Sequence, residues 1–310
     1  MRDLKDLQNY WRINAEQDLA LCTIVGKKGS GYRSAGAKKI IRHDGDFCGY
    51  LSGGCLEGGI VAAALSRWNE MPFRQSFSTM SEEDRLMGYQ TGCAGVIDIL
   101  FERLPQDTTG IANYLPFGGK SGVAGVAISL NEKTLGQRRL LAQAGEKTEN
   151  VYFDPWVAPV SLYVIGCGPS AGTFAEIAPA LGWDVTFLDY RQGNTVAERP
   201  DVVSKILPVG EICDDIPASP RTAVVVMTHN YEADLAIVAQ LNGRNFGYIG
   251  CVGPRKRFEQ IGQDLEKLKS ITLDAAWAEK VHAPAGLKQA HAPEDIAFSI
   301  LAEIQFGMAA

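Results

Sequence analysis

The segment Gly166-Cys167-Gly168-Pro169-Ser170-Ala171 restricts the fold more than any other part of this chain. It follows an apolar run, 161–165, and opens a helical pattern, which is the context that a G-x-G-x-x-G/A match requires. Gly166 allows a tight turn, Gly168 lets a pyrophosphate approach the backbone, and the small Ala171 allows close packing of helix on strand. The segment predicts a Rossmann-like strand, turn and helix.

The pattern around this segment extends the prediction to two domains, 1–157 and 158–310. After the segment, strands expected at 184–188, 223–228 and 246–250 alternate with helices, which predicts a doubly wound parallel sheet. Before it, a helix carrying Leu4, Leu7 and Trp11 precedes strands at 19–25, 73–78 and 96–102, with hairpins at Asp44-Gly45 and 131–134. We therefore predict an α/β protein, with an N-terminal mixed α/β domain, an interdomain linker at 143–159 and a C-terminal Rossmann-like domain.

The Rossmann-like segment raises the question of a dinucleotide ligand such as NAD. Asp189 stands 23 positions after Gly166, where an acid at the end of the second strand binds ribose hydroxyls. Arg191 could instead meet a 2′-phosphate, and such folds also serve as docking scaffolds. His229 follows the strand AVVVMT and is expected at the carboxyl end of the sheet, either near a ligand or as a surface histidine.

Two cysteines lie in glycine-rich turns that ordinary folding does not require. Ser52, Gly53 and Gly54 precede Cys55, which opens the helical run LEGGIVAAALSRW. A helix that begins in such a loop offers free N–H groups and the positive end of its dipole, which favours an anion and the thiolate form of a cysteine. The segment TGCAG, in which Cys93 follows Gly92, is predicted to form the second side of the same pocket.

The remaining five cysteines are interpreted as small buried hydrophobes: Cys22, Cys48, Cys167, Cys213 and Cys251. A total of seven, an odd number without framework spacing, favours a reducing compartment. Together with the lack of a signal-peptide core or an apolar span of about 20 residues, this places the protein in the cytoplasm, away from membranes. A net charge of −6 without a long basic run argues against nucleic-acid binding.

These motifs together resemble the XdhC/CoxI family, the xanthine dehydrogenase accessory proteins that mature molybdenum-containing hydroxylases. The N-terminal resemblance is carried by GSGYRSAGAK, DGDFCGYLSGGCLEGG and TGCAGVIDILFE. The C-terminal resemblance is carried by LYVIGCGPSA, VTFLDYR, VVVMTHNYEAD and YIGCVGPRKR. The chain departs from the family pattern at Gly31, Tyr32, Gln90, Ala94 and Pro169.

The resemblance implies a chaperone, without turnover of its own, that binds the molybdenum cofactor, protects it during sulfuration and delivers it to an apo molybdenum hydroxylase. It also implies a cysteine desulfurase as a partner, and a homodimer. On this interpretation Cys55 and Cys93 face the metal or a transferred sulfur, and Ser30 and Arg33 help to hold the pterin or its phosphate. Tyr32, from its position, could stack on the pterin, and Glu57 either orients a donor or caps the helix.

Two other interpretations stay open. An NAD-dependent oxidoreductase acting on an unknown small molecule would use the glycine-rich segment and Asp189, with His229 as a proton donor. It lacks a recognisable hydride-transfer constellation. A purely scaffolding protein would leave both N-terminal thiols unexplained.

Overall fold

The computed structural model describes residues 2–30, 32–78, 95–115, 124–143, 148–194, 196–197, 200–287 and 292–308. The chain divides into two compact units. The first is Asp3–Ala158, and the second is formed mainly by Pro159–Ala310. The first unit is a mixed α/β structure and the second is a parallel sheet with helices, which confirms the predicted fold class.

The first unit is built on a five-stranded antiparallel sheet. It opens with helix α1 (Arg2–Ile13), whose Leu7 and Trp11 are buried as their helical spacing predicted. Its strands are β1 (Leu19–Gly29), β2 (Lys38–Arg42), β3 (Phe47–Cys48), β4 (Phe73–Ser78) and β5 (Gly95–Arg103), in the order β3-β2-β1-β5-β4. Helix α2 (Glu57–Ser66) packs its buried Ile60 and Ala64 into the core.

A smaller antiparallel sheet completes this unit after the short helix α3 (Thr108–Ile111). Its strands are β6 (Gly125–Ser129), β7 (Arg138–Leu141) and β8 (Val151–Pro155), in the order β7-β6-β8. The expected hairpin is present as β6 and β7. The segment that we expected to be a loose linker instead contains β8, because Tyr152, Phe153 and Asp154 are buried once the strand pairs with β6.

Two buried ion pairs join the two sheets of the first unit. Lys38 of β2 donates to Asp154 of β8 at 2.7 Å. Arg138 of β7 donates to both oxygens of Glu102 on β5, at 3.1 and 2.6 Å. Burial raises the pKa of Glu102 to about 7, and the positive charge of Arg138 only partly opposes it. These two pairs therefore connect strands of different sheets through side chains.

The second unit is a six-stranded parallel sheet of the Rossmann type. Its elements, in chain order, are β9 (Ser161–Ile165), α4 (Ala171–Ala180), β10 (Asp184–Asp189), β11 (Val202–Ile206), β12 (Thr222–Val226), α5 (Tyr231–Leu241), β13 (Tyr248–Cys251), α6 (Arg255–Lys269), α7 (Ala275–Glu279), β14 (Val281–His282) and α8 (Pro293–Gly307). The strand order is β11-β10-β9-β12-β13-β14. From β9 the chain adds strands first towards one edge and then, from β12, towards the other, so the strand order reverses between β9 and β12. That is the order of dinucleotide-binding folds, whose ligands lie at the reversal point.

The strands that the sequence did not predict lie at the edges of this sheet. β11 alternates buried and exposed residues, and β14 has only two residues. An edge strand is covered on fewer sides than a central one, so its apolar signal is weaker. Among the described residues, no helix is both long enough and apolar enough to cross a bilayer.

Candidate functional site

The first candidate site is the loop Ser52–Cys55, which leads into α2. Gly54 has a φ of +113°, a conformation that favours glycine, and a Cβ there would meet no atom within 4 Å. Cys55 is half-buried. The next two glycines, Gly58 and Gly59, are exposed and also face open space, and they precede the first helical hydrogen bond, from Ile60 N to Leu56 O. Cys55 therefore stands beside accessible backbone at a helix N-terminus.

A buried hydrogen-bond network anchors this loop to the core. We call it the Glu57 network, and its members are Lys39, Ser52 and Glu57. Glu57 Oε1 accepts hydrogen bonds from Leu51 N (3.0 Å), Ser52 N (2.7 Å) and Ser52 Oγ (2.8 Å). Glu57 Oε2 accepts from Lys39 Nζ at 2.6 Å. The loop is thus rich in glycine but anchored to a charged pair in the core.

The electrostatics of this network keep Glu57 ionised. Burial by itself would raise the pKa of the Glu57 carboxyl, but the hydrogen bonds from Lys39 and Ser52 outweigh it and the pKa lies below its ordinary value. Lys39 is completely buried, and its Nζ lies 3.3 Å from the centroid of the Phe47 ring, a cation–π contact. Of the two roles expected for Glu57, the contacts favour the orientation of donors, because its oxygens accept from Leu51 N, Ser52 and Lys39.

The other residues predicted for this site occupy different surroundings. Tyr32 is exposed and lies over Gly53, with its Cγ 3.8 Å from the position of a Cβ on that glycine. Arg33 forms an ion pair with Asp3 of α1. Ser30 directly follows β1. The structure therefore brings Tyr32 against the loop, whereas Arg33 already has an acidic partner that a bound anion would have to replace.

Gly92 and Cys93 lie outside the described residues, so their predicted place beside Cys55 stays a prediction. Gly95, the first described residue after them, pairs with Gly29 at the end of β1, and Ser30 is the next residue along. Burial raises the pKa of each of the five cysteines that we interpreted as buried hydrophobes. Those five thiols are therefore poorly ionised near neutral pH.

The second candidate site is the glycine-rich turn of the second unit. Gly166 has a φ of +107°, and a Cβ there would lie 2.7 Å from Met227 O, so only glycine fits. The turn leads to Ala171, the buried first residue of α4. His229 has a φ of +57°, and its Cδ2 and Nε2 atoms would lie 3.5 Å from a Cβ on Gly168. His229 follows β12 at the carboxyl end of the sheet, as expected, and the structure adds that it lies beside the turn.

Asp189 ends β10, as the ribose prediction requires, but its carboxylate is already engaged. Its oxygens accept from Cys167 N (2.8 Å), from the Arg191 N, Nε and Nη2 atoms (3.0, 3.0 and 2.8 Å), and from Asn194 Nδ2 (3.3 Å). Burial alone would raise the pKa of Asp189, but these donors hold it well below its ordinary value. Ribose hydroxyls would have to displace these donors, Arg191 first.

The two sites support different chemistry. Among the described residues, no three His, Cys, Asp or Glu side chains are placed to hold a metal ion. The first site offers one half-buried thiol, accessible main chain and an aromatic ring, a set that suits a soft metal centre carried by an anionic organic molecule. The second offers a phosphate-type turn with a histidine. The sequence did not predict a role for Lys39. A lysine in a strand gives no local signal that it will be buried and paired with an acid 18 residues away.

These features define a two-domain α/β protein, with a thiol-bearing loop on the first domain and a Rossmann fold in the second. A family model described as the XdhC and CoxI family matches residues 12–76, and one described as the XdhC Rossmann domain matches residues 162–304. Together they span about two thirds of the chain. The chain belongs to the XdhC and CoxI family, as its motifs predicted.

Similar proteins cover the chain almost end to end. A Bacillus subtilis protein described as a probable subunit of xanthine dehydrogenase is 25% identical, over 94% of each chain. The molybdenum cofactor insertion chaperone PaoD of Escherichia coli is 23% identical, over 92% of this chain and 81% of its own length. A crystal structure titled as a xanthine dehydrogenase from Bacillus halodurans has a TM-score of 0.79 at 24% identity, covering 98% of this chain and 95% of that one, which shows a common fold.

Proposed function

We propose that this protein binds the molybdenum cofactor and inserts it into a molybdenum hydroxylase. The observation that carries the proposal is the half-buried Cys55, held at the start of α2 by the Glu57 network and flanked by open backbone. The family membership and the similarity to the molybdenum cofactor insertion chaperone PaoD support it. The cofactor is cargo here, so the protein acts as a chaperone and not as a catalyst.

The chemistry of the first site suits this cargo. The molybdenum cofactor is an anionic pterin with a phosphate and a soft, sulfur-bound metal. The N–H groups at the start of α2 suit the phosphate, and a thiolate suits the metal or a transferred sulfur. Tyr32, exposed above Gly53, offers a face on which the pterin can stack. Cys93 is the second thiol of this proposal, and Ser30 and Arg33 provide further polar contacts.

The finer steps of the proposal concern partners. The protein protects the cofactor while a cysteine desulfurase supplies the terminal sulfur, and then delivers it to an apo-hydroxylase of the xanthine dehydrogenase type. It works as a homodimer. The family resemblance supports these steps, and each can be tested by isolating the complex from purified components.

The decisive experiment measures cofactor retention. The purified protein is incubated anaerobically with molybdenum cofactor released from a molybdoenzyme, and the desalted protein is assayed for molybdenum by mass spectrometry and for pterin by fluorescence. We expect Cys55→Ala and Cys93→Ala to lose molybdenum. Cys48→Ala, which alters a half-buried thiol of the same unit, is the matched control and should retain it. Retention unchanged in the Cys55→Ala, Cys93→Ala double variant would remove the thiols from the proposal.

The alternative, an NAD-dependent oxidoreductase, is favoured by one observation: His229 lies against Gly168 at the reversal point of a Rossmann sheet. Incubation with NADH, followed by fluorescence titration, tests it in the same preparation. Saturable NADH binding with hydride exchange into a substrate pool, and no retention of molybdenum, would support this alternative over the chaperone.

A further inference from the structure

The backbone N–H groups of the two residues that flank Cys55 donate hydrogen bonds to the same hydroxyl group. Gly54 N and Leu56 N donate to Ser52 Oγ at 3.1 and 3.2 Å. Ser52 Oγ in turn donates a hydrogen bond to Glu57 Oε1 at 2.8 Å. The backbone on both sides of the thiol therefore takes its position from one buried carboxylate.

That carboxylate depends on Lys39 of β2. Lys39 is the amine that reaches Glu57 Oε2, at 2.6 Å, and both side chains are shielded from water. A buried ion pair contributes little net stability compared with well-packed apolar residues, whereas removal of one partner leaves an uncompensated charge. The position of the pair, directly beneath the thiol loop, indicates a role other than stability.

The sign of the charges gives a second reason. Glu57 is the first residue of α2, and a carboxylate in the first turn of a helix offsets the positive end of the dipole. Left uncompensated, Glu57 would repel an anion at the helix start. Lys39 neutralises Glu57 from within, so that the exposed N–H groups near Gly58 and Gly59 keep their attraction for anionic cargo.

We infer that Lys39 is a positioning residue for this site: through Glu57 and Ser52 it fixes the backbone on both sides of Cys55 and cancels the acidic charge beneath the anion-binding end of α2. This inference rests on the proposed function, because the site that Lys39 prepares is the one proposed to bind the anionic cofactor. It adds a residue that acts on the thiol loop through Glu57 and Ser52.

Lys39→Met is the primary test, read in two ways. The first readout is the alkylation rate of Cys55 by iodoacetamide, measured on its own peptide by mass spectrometry without cofactor. The second is the dissociation constant for the molybdenum cofactor. We expect Lys39→Met to change the alkylation rate and to weaken cofactor binding about tenfold or more, the usual effect of removing a residue that orients a ligand group. Ser52→Ala, which removes only the hydroxyl, should act in the same direction.

Double variants separate positioning from packing. In Lys39→Met with Glu57→Gln, the amide oxygen still accepts from Leu51 N and Ser52 and no charge remains buried, so both readouts should return toward those of the parent protein. In Lys39→Met with Glu57→Leu the acceptor is lost, and neither readout should recover. Equal rescue by both double variants would overturn the inference, as would parental behaviour of Lys39→Met and Ser52→Ala.

Arg138→Met is the matched control, because it breaks another buried ion pair of the same unit and leaves Glu102 unpaired. It should lower stability and leave the alkylation of Cys55 unchanged; a change as large as that of Lys39→Met would mean that general destabilisation, not positioning, is measured. If the parent protein retains no cofactor while Lys39→Met still alters Cys55 alkylation, then the proposed function fails and the positioning of the thiol stands.

Discussion

Gly54→Ala tests how strictly the thiol loop requires a glycine conformation at position 54. Gly54 has a φ of +113°, and an added Cβ would meet no atom within 4 Å, so the substitution introduces no clash. If the loop keeps its shape, the alanine is strained by about 1–3 kcal/mol. If the loop relaxes instead, it gives up hydrogen bonds to Ser52 Oγ, each worth about 0.5–1.5 kcal/mol. Both routes lower the free energy of unfolding of the first unit by about 1–3 kcal/mol.

The assay must report on the first unit separately. Hydrogen exchange pulses in increasing urea, read on peptides from β1 and β5, give its free energy of unfolding, and peptides from β9 and β12 give that of the second unit. We expect Gly54→Ala to shift only the first set. The alkylation rate of Cys55 should change with it, because Cys55 is the next residue.

Two glycines serve as matched controls for this prediction. Gly58 lies inside α2 in open space, so Gly58→Ala should raise the free energy of unfolding by up to about 1 kcal/mol through helix propensity. Gly243 has a φ of +72° in open space within the second unit, so Gly243→Ala should shift only the second set of peptides. The reasoning is refuted if Gly54→Ala matches the parent within a few tenths of a kcal/mol, or if Gly58→Ala is equally destabilising.

Two further predictions concern single residues. Because Glu102 titrates at about 7 when folded and at 4.5 ordinarily, its contribution to stability is fully present below pH 4.5 and is lost as the pH rises to about 7, by up to about 3 kcal/mol. Glu102→Gln should flatten this slope in urea titrations of the first unit at pH 5 and pH 8, and an unchanged slope would contradict the assignment. Gly166→Ala, whose Cβ would lie 2.7 Å from Met227 O at a φ of +107°, should destabilise the second unit by at least about 2 kcal/mol. A parental unfolding curve for the peptides of β9 and β12 would show that this turn tolerates a side chain.

Local signals in the sequence were sufficient where a residue acts through its own backbone. The fingerprint from Gly166 to Ala171 predicted the turn into α4, and Asp44-Gly45 predicted the hairpin between β2 and β3, in which Gly45 has a φ of +94°. Helical spacing of Leu7 and Trp11 predicted the buried face of α1. In each case the backbone conformation or the buried face depends on a few neighbouring residues, so a short stretch of sequence is enough to predict it.

Signals that depend on distant partners were missed or misread. β8 was expected to be a linker, because its buried character appears only when β6 pairs with it. The position of Cys93 relative to Cys55 lies outside the described residues, so that part of the predicted site stays a prediction.

The sequence by itself determined the fold class and the place of the thiol loop, because glycine conformations and hydrophobic periodicity act over a few residues. Its motifs indicated the family by resemblance. Only the tertiary structure decided which charges are buried together. Lys39 and Glu57 are 18 residues apart in the chain and 2.6 Å apart in space. Such a pair forms only when β2 and α2 pack around it and exclude water, and no short stretch of sequence encodes that exclusion.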